Sequence, residues 1–178
     1  TSITIPSSVT SIGRCVFDYC SSLSSVQWNI VNCGDFSNYA ASPFYNTNSN
    51  TSSQIKFFTF GDSVQHIPDY LCYGMNNLTT VTIPNSVTSI GEYAFDDCSN
   101  LTTLILSIPS IESYCKSQLN NFLYNAGLTS QTRRIMINEE EVTEITIPET
   151  VGEIKDYLFY NCSSLTSVTI PASVTNIG

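Results

Sequence analysis

The apolar positions of this chain form two short extended runs separated by a proline, and this arrangement returns along most of the sequence. In the clearest copy, Val81 and Ile83 alternate with threonines, which is the period-two pattern of a strand with one buried face. Pro84 ends that strand, and a second extended segment follows at 87–90. The next residues predict one helical or 3-10 turn that places Phe95 in the core.

The pattern recurs with a constant period. The separation between Leu78 and Leu101 equals that between Val142 and Leu165. The string from Leu78 to Gly91 returns almost unchanged from Leu165 to Gly178. A period in the twenties is the signature of a repeat architecture in which each unit packs on the next. We count seven units, of which the first and last are incomplete, with unit starts at Leu23, Ile55, Leu78, Leu101, Val142 and Leu165 after a partial first unit.

Two intervals between unit starts are longer than this period. They run from Leu23 to Ile55 and from Leu101 to Val142, and the second is the longer of the two. We interpret the extra residues as insertions near 32–54 and 107–138 in a single domain spanning 1–178.

One unit alone cannot stay folded. About six large apolar side chains contribute on the order of 10–15 kcal/mol of burial, whereas ordering the backbone costs roughly 1–2 kcal/mol for each residue of the unit. Stacking adds contacts between units, and identical strands repeated in one direction pair in parallel. We therefore predict a strand-rich α/β solenoid with a parallel sheet along one face.

Beyond its strand, the unit continues as Pro-x-x-Val-x-x-Ile-Gly-x-x-Ala-Phe-x-x-Cys. The matching residues are Ile83–Pro84, Val87, Ile90–Gly91, Ala94–Phe95 and Cys98; Ile5–Pro6, Val9, Ile12–Gly13, Val16–Phe17 and Cys20; and Ile147–Pro148, Val151, Ile154, Leu158–Phe159 and Cys162. This unit resembles the BspA-like leucine-rich repeats of bacterial and protozoan surface proteins. The resemblance implies a right-handed curved solenoid with the parallel sheet on its concave face. It also implies a surface or secreted location and a role in adhesion.

Composition narrows the set of partners. The net charge of −9 repels phosphate backbones, so we expect no nucleic acid partner. No apolar run is long enough to span a bilayer. Because the chain starts at Thr1 inside a repeat, we expect it to be a segment of a longer protein.

The seven cysteines divide into two groups. Three of them share one repeat position that also accepts Met75, so that position is used as a small apolar site. We predict buried free thiols at Cys20, Cys98 and Cys162. The others lie off the pattern, where one or two disulfides are the alternative to free thiols: Cys15, Cys33, Cys72 and Cys115.

The longer insertion predicts a helix of about four turns from Ser110 to Gly127, because its apolar residues recur at helical spacing. Its apolar face either covers the solenoid or docks a partner. A tight hairpin is predicted at Asn138–Glu139. The shorter insertion is a polar loop with aromatic residues, either a variable surface loop or a binding tip, and its candidate contacts are Tyr39, Phe44 and Tyr45.

The sequence gives little support to catalysis. The single histidine, His66, aligns with Ser89 of the next unit and is predicted to be an exposed spacer. Nucleophile-elbow, zinc-protease and phosphate-loop motifs are missing from the sequence. We therefore expect no enzyme activity, no cofactor and no metal site.

We expect a protein-binding adhesion module whose partner is an extracellular protein of the host matrix or of a neighbouring cell. The alternatives are a structural spacer that presents another domain, and a glycan-binding surface using Trp28, Tyr39 and Tyr45. The outward residues of the predicted strands, here called the strand face, are Gln27, Phe57, Thr59, Thr80, Thr82, Thr103, Ile105, Glu144, Thr146, Ser167 and Thr169. Phe57 and Ile105 would be its apolar anchors.

Overall fold

The computed structural model describes residues 1–45 and 54–178. Short strands and two short helices alternate with turns along these residues. The elements are β1 Ser2–Ile5, β2 Ser25–Trp28, a 3-10 turn Tyr39–Ala41, β3 Phe57–Phe60, β4 His66–Ile67, β5 Thr80–Ile83, β6 Ser89–Ile90, β7 Thr103–Ser107, α1 Ile111–Lys116, α2 Leu119–Asn125, β8 Thr132–Ile137, β9 Glu140–Glu141, β10 Glu144–Thr146, β11 Glu153–Ile154, β12 Ser167–Thr169 and β13 Asn176–Ile177.

The long strands form three parallel ladders, β1–β2–β3, β5–β7–β8 and β10–β12. Val81 lies opposite Leu104, its equivalent in the next unit. Ser25 lies opposite Phe57, its equivalent across the first of the two longer intervals. The parallel pairing and register expected from the repeat are confirmed in these ladders.

A second set of parallel pairs joins the shorter strands, β4 to β6 and β11 to β13. The turns after these strands also stack: the N–H groups of Tyr70 and Cys72 donate to the carbonyl oxygens of Glu92 and Ala94, at 3.2 and 2.8 Å. Each unit therefore satisfies backbone groups of its neighbour at several places, which is why the units stack.

The predicted core positions are buried in the inner units, whereas the first and last units expose some of theirs, such as Val16 and Ile177. In the unit that starts at Leu78, none of them exceeds the 8% exposure of Val87. Leu104 of the next unit is 0% exposed, directly beside Val81 at 1%. Burying a side chain of this size contributes about 1.5–3 kcal/mol, and the repeat supplies one at every level.

The segment 107–138 contributes a strand to the same ladder. Ile105 of β7 lies opposite Arg134 of β8, which belongs to the longer insertion and precedes the next unit start at Val142. The interval from Leu101 to Val142 thus contains an additional strand paired in parallel with β7, which the unit starts did not indicate. The alternation of buried Arg133 and Ile135 with more exposed neighbours gives β8 one inward side.

The long helix predicted between Ser110 and Gly127 is wrong in one respect, because the structure contains two short helices. The Ser110 hydroxyl caps α1 as predicted, accepting the N–H of Ser113 at 3.1 Å. The chain becomes extended at Ser117, whose hydroxyl donates to the Tyr114 carbonyl oxygen at 2.8 Å. This local hydrogen bond competes with helix continuation.

Two turn predictions are confirmed. Asn138 and Glu139 have φ values of +50° and +67°, as a two-residue hairpin turn requires, and they join β8 to the antiparallel β9. Gly127 follows α2 with φ +85°. A side chain there would also press on the backbone of Asp96, with its Cβ 2.8 Å from the Asp96 Cα.

The cysteine prediction is partly wrong. Cys98 and Cys162 are buried, at 7% and 8% exposure, but Cys20 is exposed. The Cys98 thiol packs against the preceding unit, donating to the Cys72 carbonyl oxygen at 3.1 Å. Cys20 belongs to the first unit, where no preceding unit of the described chain provides that cover. All seven cysteines are free thiols.

Candidate functional site

The strand face is built by the parallel register. Each step along a ladder places equivalent residues side by side, so Thr82 lies next to Ile105 and Thr80 next to Thr103. In the C-terminal ladder, Thr146 lies next to Thr169. The alternation of the strands directs these side chains away from the core, and the structure therefore brings the predicted face together within each ladder.

The two predicted anchors differ in exposure. Phe57 at the start of β3 is 65% exposed, the largest exposure among the described large hydrophobic residues. Ile105 is half-buried between Thr82 and Arg134. Isolated exposed hydrophobic residues are common, but Phe57 stands in a row of hydroxyl-bearing side chains, with Ser25 as its partner on β2.

Arg134 is a strand-face residue that the sequence reasoning missed. Its guanidinium binds both carboxylate oxygens of Glu141 across the hairpin, at 3.0 and 2.6 Å. The hydrogen bonds and charge of Arg134 lower the pKa of Glu141. The alternating run 132–137 indicated a strand. Because this run does not fall on a repeat position, the sequence did not show which residues of β7 it pairs with.

The strand face can donate and accept hydrogen bonds through its threonine and serine hydroxyls. Phe57 adds apolar area, and the Arg134–Glu141 pair adds one cation and one anion. Such a surface suits a polypeptide or another polar partner, because its groups are spread along the stack and do not converge. In the described residues, no cluster of three His, Cys, Asp or Glu side chains is arranged to hold a metal ion.

Of the candidate contact residues in the shorter insertion, Tyr39 lies at the surface and Phe44 lies in the core. Tyr39 is 47% exposed, and its ring lies 5.5 Å from that of Tyr45. Phe44 is 1% exposed, so its prediction as a contact residue is wrong. Its ring stacks on Phe17 at 5.1 Å, and Phe17 holds the repeat position of the turn phenylalanine. Phe44 therefore serves as the core phenylalanine of its own unit.

Trp28 is also a core residue, with 0% exposure. Its ring lies 6.4 Å from Phe44 and 6.3 Å from Phe58. The glycan surface predicted from Trp28 with the two tyrosines is therefore not formed, because Trp28 ends the inward row of β2.

His66 is a hydrogen-bonded bridge, and its prediction as an exposed spacer is wrong. Its Nδ1 lies 2.7 Å from the Ser89 hydroxyl, and its Nε2 lies 2.7 Å from the Asp35 carboxylate. The alignment with Ser89 is confirmed by the pairing of β4 with β6. The sequence could not indicate Asp35, which lies in the shorter insertion.

The Asp35–His66–Ser89 order resembles a hydrolytic triad, but its surroundings do not suit acyl transfer. Such a reaction needs free N–H donors beside the nucleophile to stabilise an oxyanion. The N–H of Ser89 donates to the Gln65 carbonyl oxygen, and that of Gly91 to Ile67. These groups therefore join neighbouring units.

Asp35 and Asp69 have opposite pKa shifts. Partial burial raises the pKa of Asp35, but hydrogen bonds from the Asp69 N–H and His66, with the His66 charge, outweigh it and leave the pKa lowered. Burial also raises the pKa of Asp69. Its hydrogen bond from the Glu92 N–H opposes this, whereas the charges of Asp35 and Glu92 reinforce it, so the pKa is raised. Asp35 is thus a carboxylate stabilised by its bridge.

The repeat can be compared with known families. A family model described as the BspA type leucine rich repeat region matches six copies in this chain, over residues 1–52, 44–139 and 133–178. The chain belongs to the BspA-type leucine-rich repeat family. Leucine-rich repeat regions are generally non-catalytic, and BspA-like proteins are typically found at the surface or secreted.

Solved structures similar to the BspA-type chain are bacterial leucine-rich repeat proteins. The Treponema pallidum protein TpLRR is 16% identical, with a TM-score of 0.42, over 99% of this chain and 72% of that one. A protein from Eubacterium ventriosum is 21% identical, with a TM-score of 0.37, over 100% and 50%. One from Bacteroides ovatus is 22% identical, with a TM-score of 0.38, over 99% and 56%. This BspA-type chain thus spans about half the length of the last two proteins.

Among curated proteins, none matches the BspA-type chain. Within the described residues, neither α1 nor α2 nor any other helix has the length and apolarity to cross a membrane.

Proposed function

We propose that this chain is a non-catalytic, protein-binding adhesion module that acts at the cell surface or after secretion. Its binding surface is the strand face, on the concave side of a right-handed curved stack, and its partner is an extracellular protein of the host matrix or of a neighbouring cell. The observation that carries the proposal is the row of outward hydroxyl-bearing side chains, exposed or half-buried, interrupted by Phe57, which is 65% exposed.

The composition of the strand face supports a protein partner. Threonine and serine side chains lose little rotamer entropy when they are ordered, and they exchange hydrogen bonds with backbone or polar side chains. Binding energy in such interfaces concentrates at a few apolar or aromatic residues, and Phe57 is the best exposed candidate on this face.

The proposal is tested by solid-phase binding of the purified chain to a panel of extracellular-matrix proteins, beside a glycan array. For each matrix protein that binds, the double variant Phe57→Ala and Ile105→Ser is expected to lower affinity by at least tenfold, because hot-spot truncations cost about 2 kcal/mol or more. Tyr19→Ser is the matched control, since Tyr19 is 62% exposed in the first turn and lies off the strand face.

Equal binding by the double variant and the wild type would reject the strand face as the interface. Binding confined to the glycan array would reject a protein partner. Silence in both assays would favour the alternative function, a spacer that presents another domain.

A further inference from the structure

A small cavity lies between α2 and the turn after β11. Its walls are formed by Tyr124, Thr129, Arg133, Tyr157 and Tyr160, and its volume is about 90 Å³. One water molecule requires roughly 10–15 Å³ of such space. The cavity can therefore hold a group the size of a carboxylate or a sulfate.

The charged wall of this cavity is Arg133, which is only 2% exposed. Its Nη1 donates to the Tyr157 carbonyl oxygen at 3.0 Å, and its side chain is hydrogen-bonded to the Tyr114 phenol. The guanidinium carbon lies 5.5 Å from the centre of the Tyr160 ring. Its Nε is buried and has no hydrogen-bond partner among the described residues. These three contacts in the described part of the chain, to a carbonyl oxygen, a phenol and an aromatic ring, are all to neutral groups.

Arg133 also has no carboxylate partner among residues 1–45 and 54–178. The ion pairs in the described parts of the chain join His66 to Asp35, Lys116 to Glu112 and Arg134 to Glu141.

Lys155, which precedes Tyr157 in the same turn, also bonds to neutral groups, since its Nζ donates to the carbonyl oxygens of Lys116 and Ser117. Buried charges in proteins are normally paired, because desolvating an unpaired ion is costly. The surroundings of Arg133 therefore favour an anion, although the chain as a whole carries −9.

Besides Thr129, the other walls are flat aromatic rings. Tyr124 and Tyr157 stack with their centres 6.3 Å apart, and Tyr160 meets Tyr157 edge-on at 5.8 Å. Their residues are 63%, 59% and 44% exposed, in the order Tyr124, Tyr157 and Tyr160. Binding sites commonly combine such apolar walls with a few polar groups that fix the ligand's orientation.

We infer that this cavity is a binding site for an acidic sugar residue, whose carboxylate binds Arg133 while its ring lies against the tyrosines. The carboxylate supplies the charge that the guanidinium lacks. The sugar ring carries both a flat apolar face and hydroxyl groups. The site shares no residue with the strand face, so its existence does not depend on the protein-binding proposal.

The test is an NMR titration of the whole chain with sodium glucuronate, beside glucose and sodium sulfate. Glucuronate is expected to shift the signals of Arg133, Tyr124, Tyr157 and Tyr160 in a saturable way, and glucose is expected to leave them in place. Equal shifts with glucose would overturn the role of the charge. Sulfate binding as tight as glucuronate binding would overturn the sugar assignment, and no saturable shift with glucuronate would overturn the site.

Variants separate binding from folding. Arg133→Met keeps much of the side-chain volume and is expected to weaken glucuronate binding at least tenfold. Arg134→Met is the matched control from the same strand and should stay within twofold of the wild type, because Arg134 pairs with Glu141 outside the cavity. An equal loss in both variants would overturn the proposal.

Arg133→Met removes contacts to Tyr157 and Tyr114 and could fail to fold, so a second variant decides that case. Tyr124→Ala truncates a ring that is 63% exposed and leaves the arginine contacts in place. It is expected to weaken glucuronate binding at least threefold with an unchanged unfolding transition. Unchanged affinity in Tyr124→Ala would overturn the site.

Discussion

The segments 55–107 and 107–137 build neighbouring layers of one stack by different means. In the first, each regular unit provides a strand, a second short strand and a turn, and equivalent residues pair. In the second, α1 and α2 lie between β7 and β8. The chain still reaches the same ladder at β8.

The backbone contacts explain how the helices fit. The N–H groups of Tyr93 and Phe95 donate to the carbonyl oxygens of Asn125 and Ala126 at the end of α2, at 2.8 and 2.9 Å. In the regular layer, a neighbouring turn accepts the equivalent donors. A layer therefore needs carbonyl oxygens that accept the N–H groups of the neighbouring turn, and apolar side chains that bury the neighbouring core. It does not need the repeat sequence itself.

The largest expected effect tests whether both layers share one core. Leu104 in β7 and Leu123 in α2 are each 0% exposed. Replacing either by alanine is expected to destabilise the chain by about 2–5 kcal/mol, because both leave a cavity. Urea unfolding measures this. If Leu123→Ala lowered the free energy of unfolding by well below about 1 kcal/mol while Leu104→Ala did not, the helices would lie on the surface of the stack and not share its core.

A smaller effect is expected where regular units approach most closely. A Cβ at Gly91 would overlap Asp69 of the preceding unit and lie 2.7 Å from its Cα, so Gly91→Ala is expected to cost about 1–3 kcal/mol. Gly13 holds the same repeat position, but its nearest contact would be Val16 at 3.6 Å. Gly13→Ala is the control and should change the thermal midpoint little. Similar losses in both variants would contradict this account.

The smallest effect concerns pH and the bridge from the shorter insertion. Because the pKa of Asp35 is lowered from 3.8, its stabilisation is present above about pH 4 and is lost as pH falls through the folded-state value. Asp69 has a raised pKa, so its contribution is present at low pH and is lost as pH rises.

The Asp35→Asn variant should therefore lose less stability than the wild type as pH falls from about 5 to 3. The difference in unfolding free energy is expected to be less than about 1 kcal/mol, because the Asp35 side chain is largely exposed. Asp69→Asn is the paired control and should change the pH profile in the opposite direction. Thermal unfolding at several pH values checks both, and profiles shifted in the same direction would contradict the assignment.

The regular part of the fold could be predicted residue by residue because its information is local. Val81, Ile83 and Phe95 are buried as their pattern indicates. The strand face followed from the same alternation, and its side-by-side placement within ladders followed from the register. Whether it binds a protein stays a prediction.

The errors concentrate where the repeat is interrupted. Phe44 looked like a loop residue because the extra residues displaced it from its repeat position, yet it packs against Phe17 and Trp28. Arg134 was missed for the same reason. When an insertion changes the interval between units, residues that are equivalent in space no longer share the repeat spacing in the sequence. Their side chains still pack together in the structure.

The sequence by itself determined the repeat, the inward rows and the parallel pairing, since each depends on spacing between near neighbours or on identity between units. Only the tertiary structure decided which distant groups meet. His66 joins Asp35 to Ser89 across units, and Arg133 lines a cavity with tyrosines from α2 and from the turn after β11. These contacts depend on how the two insertions pack against the regular units. The repeat period carries no information about that packing, because the inserted residues lie outside it.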